Sequence, residues 1–411
     1  MHRTALLVAL ALVAASCTGA VDPGDGDIAT GGEPTTSAPP VAAVPTSDDV
    51  IVDDAPNLPP TLADATAAWG TDWTRRTIEF DELLIGIPGG DPLGRIPHID
   101  DPSFQSVAQA EWLEGNQPGV VFGLDDDARF YPLSILTRHE IVNDAFGDVP
   151  VSVTYCPLCN TAVVFDRRVA GETVGFRVSG LLRNSDLVMW DDQTESLFQQ
   201  VTGEGIVGTL AGERLTILPS RITSFDTFAE AHPEGTVLAD DQGFGIRYGA
   251  NPYVGYSSRP EPYGFFQGEP DDRLPALERV VGVEVGDEHV AYAFSNLAEA
   301  RVVNDVVGGE PIAVFWGDPD TADALDDRSI AESRGVGTGV AYLATIDDEA
   351  LTFQATGEDT WVDDRTGSTW DLFGTAVDGP MAGTQLELAL HRNEFFFAWS
   401  AFFPDGEVRE G

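Results

Sequence analysis

The chain has 411 residues and a formal net charge of −46, and all 22 of its basic residues are arginine. A field of this sign repels nucleic acid and anionic lipid headgroups, which excludes electrostatically driven binding to either. The 43% hydrophobic content excludes disorder over most of the length and allows two or three domains. No acidic stretch has the spacing of a calcium-binding helix–loop–helix, so the acidity reads as a solvated surface.

Met1-His2-Arg3 is a short basic start, followed by an apolar run from Ala5 to Ala15 that is too short to span a bilayer. The run ends in Ala14-Ala15-Ser16-Cys17, small residues before a cysteine, which looks like a bacterial lipobox. The pattern predicts a signal peptide over residues 1–16 and a lipidated Cys17. The mature chain would then be extracytoplasmic, anchored to the cell membrane by lipid without crossing it; plain secretion is the alternative. Residues 17–60 are rich in Gly, Pro, Thr, Ser and Asp without a hydrophobic period and are predicted to form a disordered tether.

Beyond the tether the local patterns are mostly strand. Val120–Leu124 and Arg129–Tyr131 flank the acidic turn Asp125-Asp126-Asp127 and predict a hairpin. Pro132 and Ser134 open a helix in which Ile135, Leu136, His139 and Val142 form one apolar stripe. Asn143-Asp144 is then expected to cap that helix and Gly147 to stop it. Strands follow at 149–155, 161–166, 173–179, 186–190, 205–210 and 214–218, with a short helix at 224–231 before Pro233. This order predicts an α+β fold, mostly antiparallel β.

The chain also repeats itself. Phe122 to Cys156 aligns without gaps on Val283 to Gly317, placing Tyr131 on Tyr292, Asn143-Asp144 on Asn304-Asp305, and Pro150 on Pro311. Phe176–Gly180 then matches Phe353–Gly357, Asp191–Thr194 matches Asp363–Thr366, and Ala211-Gly212 matches Ala382-Gly383. Two diverged copies of one β-rich domain are therefore expected, at 61–245 and 276–411, joined by a Gly-, Pro- and Tyr-rich connection at 246–275.

With Cys17 assigned to lipid, Cys156-Pro-Leu-Cys159 is left as an isolated pair. Three readings stay open. A thioredoxin-like dithiol would sit at a helix N-terminus, but Thr161-Ala-Val-Val-Phe165 favours strand. A knuckle that aims two thiolates at one ion needs further ligands, for which His139, Glu140 and Met189 are candidates; this donor chemistry suits copper or zinc. The third reading is a short staple that pins a turn. Glu140 and Asp186 are expected to support the ligands from behind, and Trp190, Phe198, Tyr253 and Tyr256 to serve packing. In the second copy, Gly317, Asp320, Ala300, Arg301 and Trp361 fall opposite Cys156, Cys159, His139, Glu140 and Met189. A site is therefore expected in the first copy alone. No nucleophile elbow, phosphate-binding loop, dinucleotide fingerprint or His-Glu-x-x-His motif occurs.

The runs Tyr131-Pro-Leu-Ser-Ile-Leu136, His139-Glu-Ile-Val-Asn-Asp144 and Val151-Ser-Val-Thr-Tyr-Cys-Pro-Leu-Cys159 resemble a bacterial and archaeal family, domain of unknown function 3179. So do Asn184-Ser-Asp-Leu187 and Asp191-Asp-Gln-Thr-Glu-Ser196. The resemblance covers roughly residues 95 to 310 and implies no established activity. The expectation is a cell-envelope lipoprotein whose first copy binds a soft or borderline metal through Cys156, Cys159, His139 and Met189. An extracytoplasmic thiol–disulfide oxidoreductase and a non-catalytic envelope-binding module with a structural cysteine pair are the alternatives.

Overall fold

The computed structural model describes residues 50–124, 127–357 and 359–409. The signal segment, Cys17 and residues 17–49 of the predicted tether lie outside the described residues. Ile51 and Val52, which the tether reading took in, pair as a short edge strand with Arg76 and Arg75. No helix among the described residues is long and apolar enough to cross a membrane.

Strands make up 40% of the fold and helices 13%, so mostly β describes it better than α+β. Pairing is antiparallel except for three short parallel contacts among the described residues. The expected hairpin forms as β1 (Pro118–Leu124) and β2 (Asp127–Pro132). The helix α1 (Leu133–His139) starts after Pro132, where a fixed φ suits the first turn.

Here the structure departs from the predicted helix. The turn ends at Glu140, in the left-handed region at φ 59°, and the chain re-enters as strand β3 (Ile141–Phe146). Val142 therefore sits in a strand, and Asn143-Asp144 caps no helix. The reason is packing on both faces: Ile141, Val142, Asn143 and Asp144 are all buried. A strand covered on both sides loses the two-residue alternation that would have announced it. Asn143 ties β3 to the next sheet, donating to the Phe176 carbonyl at 2.9 Å and accepting from its amide at 3.2 Å.

Strands β4 (Val149–Cys156) and β5 (Thr161–Asp166) complete a sheet ordered Thr216–Leu218, β5, β4, β3, Ile99–Asp100. Beside it, β6 (Phe176–Arg183) and β7 (Asp186–Asp191) belong to a seven-stranded sheet. A third sheet holds β1 and β2 between Arg221–Ser224 and Thr236–Leu238, with Phe104–Ser106 at its edge.

The same pairing order occurs again from residue 279 onward. Arg279–Val285 and Glu288–Ala293 form a hairpin flanked by His391–Phe395 and Glu407–Arg409, as β1 and β2 are flanked. Val302–Val307, Glu310–Gly317 and Thr338–Leu343 follow the order of β3, β4 and β5. Side-chain bonds repeat too: Asn304 brackets the Phe353 backbone as Asn143 brackets Phe176. Asp363 gathers Thr366 and Ser368 as Asp191 gathers Thr194 and Ser196.

Among the strands the two halves share, they differ most at one connection. Residues 157–160 link β4 to β5, whereas residues 318–337 make the corresponding link. Asp320 consequently does not occupy the place of Cys159. The longer link packs Ala322, Ala324, Leu325 and Ile330 into the core that holds the cysteines. The halves interlock, and the described residues form a single compact unit.

Candidate metal centre

Cys156 closes β4, and the register pairs it with Thr161 across a four-residue link that Asn160 completes at φ 54°. The link is held from three sides. Tyr155 donates its hydroxyl to Asn160 at 3.1 Å, Tyr256 donates to the Leu158 carbonyl at 2.8 Å, and the Phe395 amide donates to the Cys159 carbonyl at 2.9 Å. A bend fixed in this way holds its two thiols in a defined place without a disulfide; both cysteines are free and buried.

Asp186 faces them. It opens β7 after a turn in which Asn184 and Ser185 both adopt left-handed backbone, at φ 50° and 65°. Such strain in non-glycine residues persists only where the surroundings enforce it. Here the turn brings the Ser185 carbonyl to 3.6 Å from the Cys156 thiol, which donates to it. Ligand atoms of Cys156, Cys159 and Asp186 all lie within 4.8 Å of one another, and all three residues are buried. This Cys2Asp group can hold a metal ion.

Its electrostatics are one-sided. One Asp186 oxygen accepts from Gln199 at 2.6 Å and from the Val201 amide at 3.1 Å, while Oδ1 is buried with no hydrogen-bond partner among the described residues. Burial raises the Asp186 pKa to about 6, with Gln199 and the Val201 amide opposing that rise. Burial also raises both thiols, Cys159 well above its ordinary value. Glu140 is pushed up to about 8, first by burial and then by the Asp186 charge. Glu394 is raised to about 7 by burial, against the pull of Arg392, whose Nε lies 3.5 Å away. Acidic groups thus outnumber cations in this dry space, and a buried excess of this kind is costly without a compensating positive charge.

The predicted ligands are only partly assembled. Cys156 and Cys159 converge, and Asp186, expected to act from behind, stands beside them. His139 does not join the group. Its Nδ1 bonds the Pro97 carbonyl at 2.6 Å and Nε2 bonds the Tyr248 hydroxyl at 2.8 Å. A carbonyl only accepts, so Nδ1 carries the proton and Nε2 accepts from the phenol; both ring nitrogens are in use. Burial lowers its pKa and keeps it neutral. Met189 packs in the same apolar core as the cysteines, but strand alternation sets it with Leu187, not with Asp186.

A further acid, Glu394, stands nearby without any local sequence pattern that announces it. It comes from the far half of the chain and receives the Thr161 hydroxyl at 3.3 Å. Its counterpart in the first half is Thr223, so the repeat itself offers no signal for it.

In the second half the equivalent space is filled. A Cβ on Gly317, at the Cys156 position, would meet Asp359 Oδ1 at 2.5 Å and Trp361 at 3.2 Å. Trp361 stacks on Phe315 at 4.4 Å, and Arg301, in the place of Glu140, lies over Trp316 at 4.9 Å.

No curated protein and no solved structure matches this chain. The family model does match, and it runs beyond the first half through most of the second: the chain belongs to the protein family of unknown function DUF3179, matched over residues 94–406.

Proposed function

We propose that the protein binds one zinc ion through Cys156, Cys159 and Asp186. The observation that carries this reading is the convergence of an Asp186 carboxylate oxygen and two buried thiols within 4.8 Å of one another. Two thiolates with a carboxylate favour zinc over copper(I), which prefers sulfur throughout. With three protein donors the ion would keep a position open to another ligand. The two thiols are poor candidates for disulfide exchange, because burial holds them protonated and the thiolate is the attacking species.

The wider setting is part of the proposal. The lipobox-like Cys17 supports an extracytoplasmic protein tethered to the membrane by lipid. The repeated strand order and the repeated Asn and Asp bonds support descent of the two halves from one duplicated unit, with the site kept in the first. Metal analysis of the purified full chain tests the central claim. About one zinc per chain is expected, falling to background in Cys159→Ser and Asp186→Asn. Zinc-free wild type after growth with ample metal, or unchanged content in both variants, overturns it.

A further inference from the structure

A groove of about 380 Å³ opens next to this centre, within the range of small-molecule sites and near its lower end. Its walls are apolar and aromatic, including Leu158, Leu182, Tyr253, Tyr263 and Phe265. Among the described residues, Glu140 is the one acidic or basic side chain that lines it. Only 8% of Glu140 is exposed, yet no hydrogen bond or ion pair from another described residue reaches its carboxyl group.

The backbone of Glu140 already has its structural work: its carbonyl accepts the Tyr155 amide at 2.8 Å. The Arg301 carbonyl does the same for Trp316 at 3.0 Å, so that role does not depend on which side chain stands there. In the second half the side chain at this position has protein partners instead, since Arg301 lies 3.6 Å from Asp359 and over Trp316. In the first half Glu140 lines the groove, and its carboxyl group has no such partner among the described residues.

We propose that this groove binds a small hydrophobic amine, its ammonium group on the Glu140 carboxylate and its apolar body against Tyr253, Tyr263 and Phe265. A buried carboxylate in an apolar cleft gains most from a paired cation. Aromatic faces add cation–π attraction without requiring further hydrogen bonds. No arginine among the described residues lines the groove to compete for the acid, and a chain of charge −46 concentrates cations at its surface. An anionic ligand meets the opposite of each condition. The amine site stands on Glu140 and the groove and does not require the metal.

Calorimetric titration of the purified full chain with benzylamine and with its neutral analogue benzyl alcohol tests the proposal. Benzylamine is expected to bind saturably and at least about tenfold more tightly than the alcohol, the signature of a charge pair. Glu140→Gln is expected to weaken benzylamine about tenfold or more while zinc content stays unchanged. Cys159→Ser is expected to lose zinc and keep the amine, so failure of the metal reading and failure of this one are separable. Equal affinity for amine and alcohol, or no saturation up to about 10 mM benzylamine, overturns the proposal using wild type alone. Loss of zinc together with the amine in Glu140→Gln makes Glu140 a metal ligand and also overturns it.

Discussion

The phenol of Tyr131 donates to the Asp144 carboxylate at 2.6 Å, and Arg129 reaches the same oxygen at 2.7 Å. Burial first, and the neighbouring carboxylate second, hold the phenol protonated, so it is a fixed donor. Tyr292 and Asp305 repeat the bond at 2.6 Å, but there Arg409 from a different strand completes it at 2.9 Å. The Asp144 side chain is 8% exposed and that of Asp305 24%. Water can therefore replace a lost donor at Asp305 and cannot at Asp144.

Tyr131→Phe is accordingly expected to cost about 2–3 kcal/mol and Tyr292→Phe about 1 kcal/mol or less. Urea midpoints of the two variants measure this. Equal losses would mean that burial of the acceptor does not set the cost.

A second comparison between the halves concerns volume. A Cβ on Gly119 would come within 2.3 Å of the Phe130 ring, which is fully buried. In the second half the same two hairpin positions hold Val280 and Ala291, small and large exchanged across the pair. Gly119→Val should cost about 3 kcal/mol by overpacking, and Phe130→Ala about 3–5 kcal/mol through the cavity it leaves. The double variant copies the second half's arrangement and should recover at least about 1 kcal/mol of the summed losses. Strict additivity in denaturant titrations would contradict the exchange.

These pairs also mark what the sequence makes legible. The hairpin, β4, β5 and the bend at Cys156 follow from alternation and turn residues, and the repeat spacing held wherever both halves keep the same connection. The end of α1 did not, because Val142 satisfies a helical stripe and a doubly covered strand equally well. The direction of His139 was hidden for a related reason: its partners, Pro97 and Tyr248, come from segments with no periodic pattern. The sequence places Asp186 behind the ligands, and only tertiary packing shows that one of its oxygens converges with the two thiols. Glu394 arrives from more than 200 residues away, a distance over which local patterns carry no information.

Acid sensitivity should be traceable to His391. Burial, opposed in part by the Ala389 carbonyl that accepts from Nδ1 at 2.8 Å, lowers its pKa to about 4. The folded state therefore binds its proton later than the unfolded state, whose histidine titrates near 6.5. The stability this contributes is complete above about pH 6.5 and is lost as the pH falls toward 4, by about 3 kcal/mol in total. Asp186, Glu394 and Glu140, raised to about 6, 7 and 8, slope the other way, so raw profiles mix these contributions. The difference between wild type and His391→Phe isolates the histidine. It should shift in favour of the variant as the pH drops from 7 to 4. A difference that is flat across that range rules out this histidine as the source.

Removing the metal should act through the same three residues that hold it. An ion that binds only the folded chain stabilises it by mass action, about 2.7 kcal/mol when free metal is a hundredfold above the dissociation constant. Chelation would withdraw this contribution and return Asp186 Oδ1 to a buried state without a partner. The wild-type melting temperature is expected to fall on treatment with a strong chelator and to recover on addition of zinc. Cys159→Ser and Asp186→Asn should melt at one temperature with or without chelator. His139→Gln, by contrast, should lose stability through the Pro97 and Tyr248 bonds yet keep the full chelator response, because its ring nitrogens are engaged elsewhere. A chelator response abolished in His139→Gln and intact in Asp186→Asn would reverse that assignment and return the histidine to the ligand set.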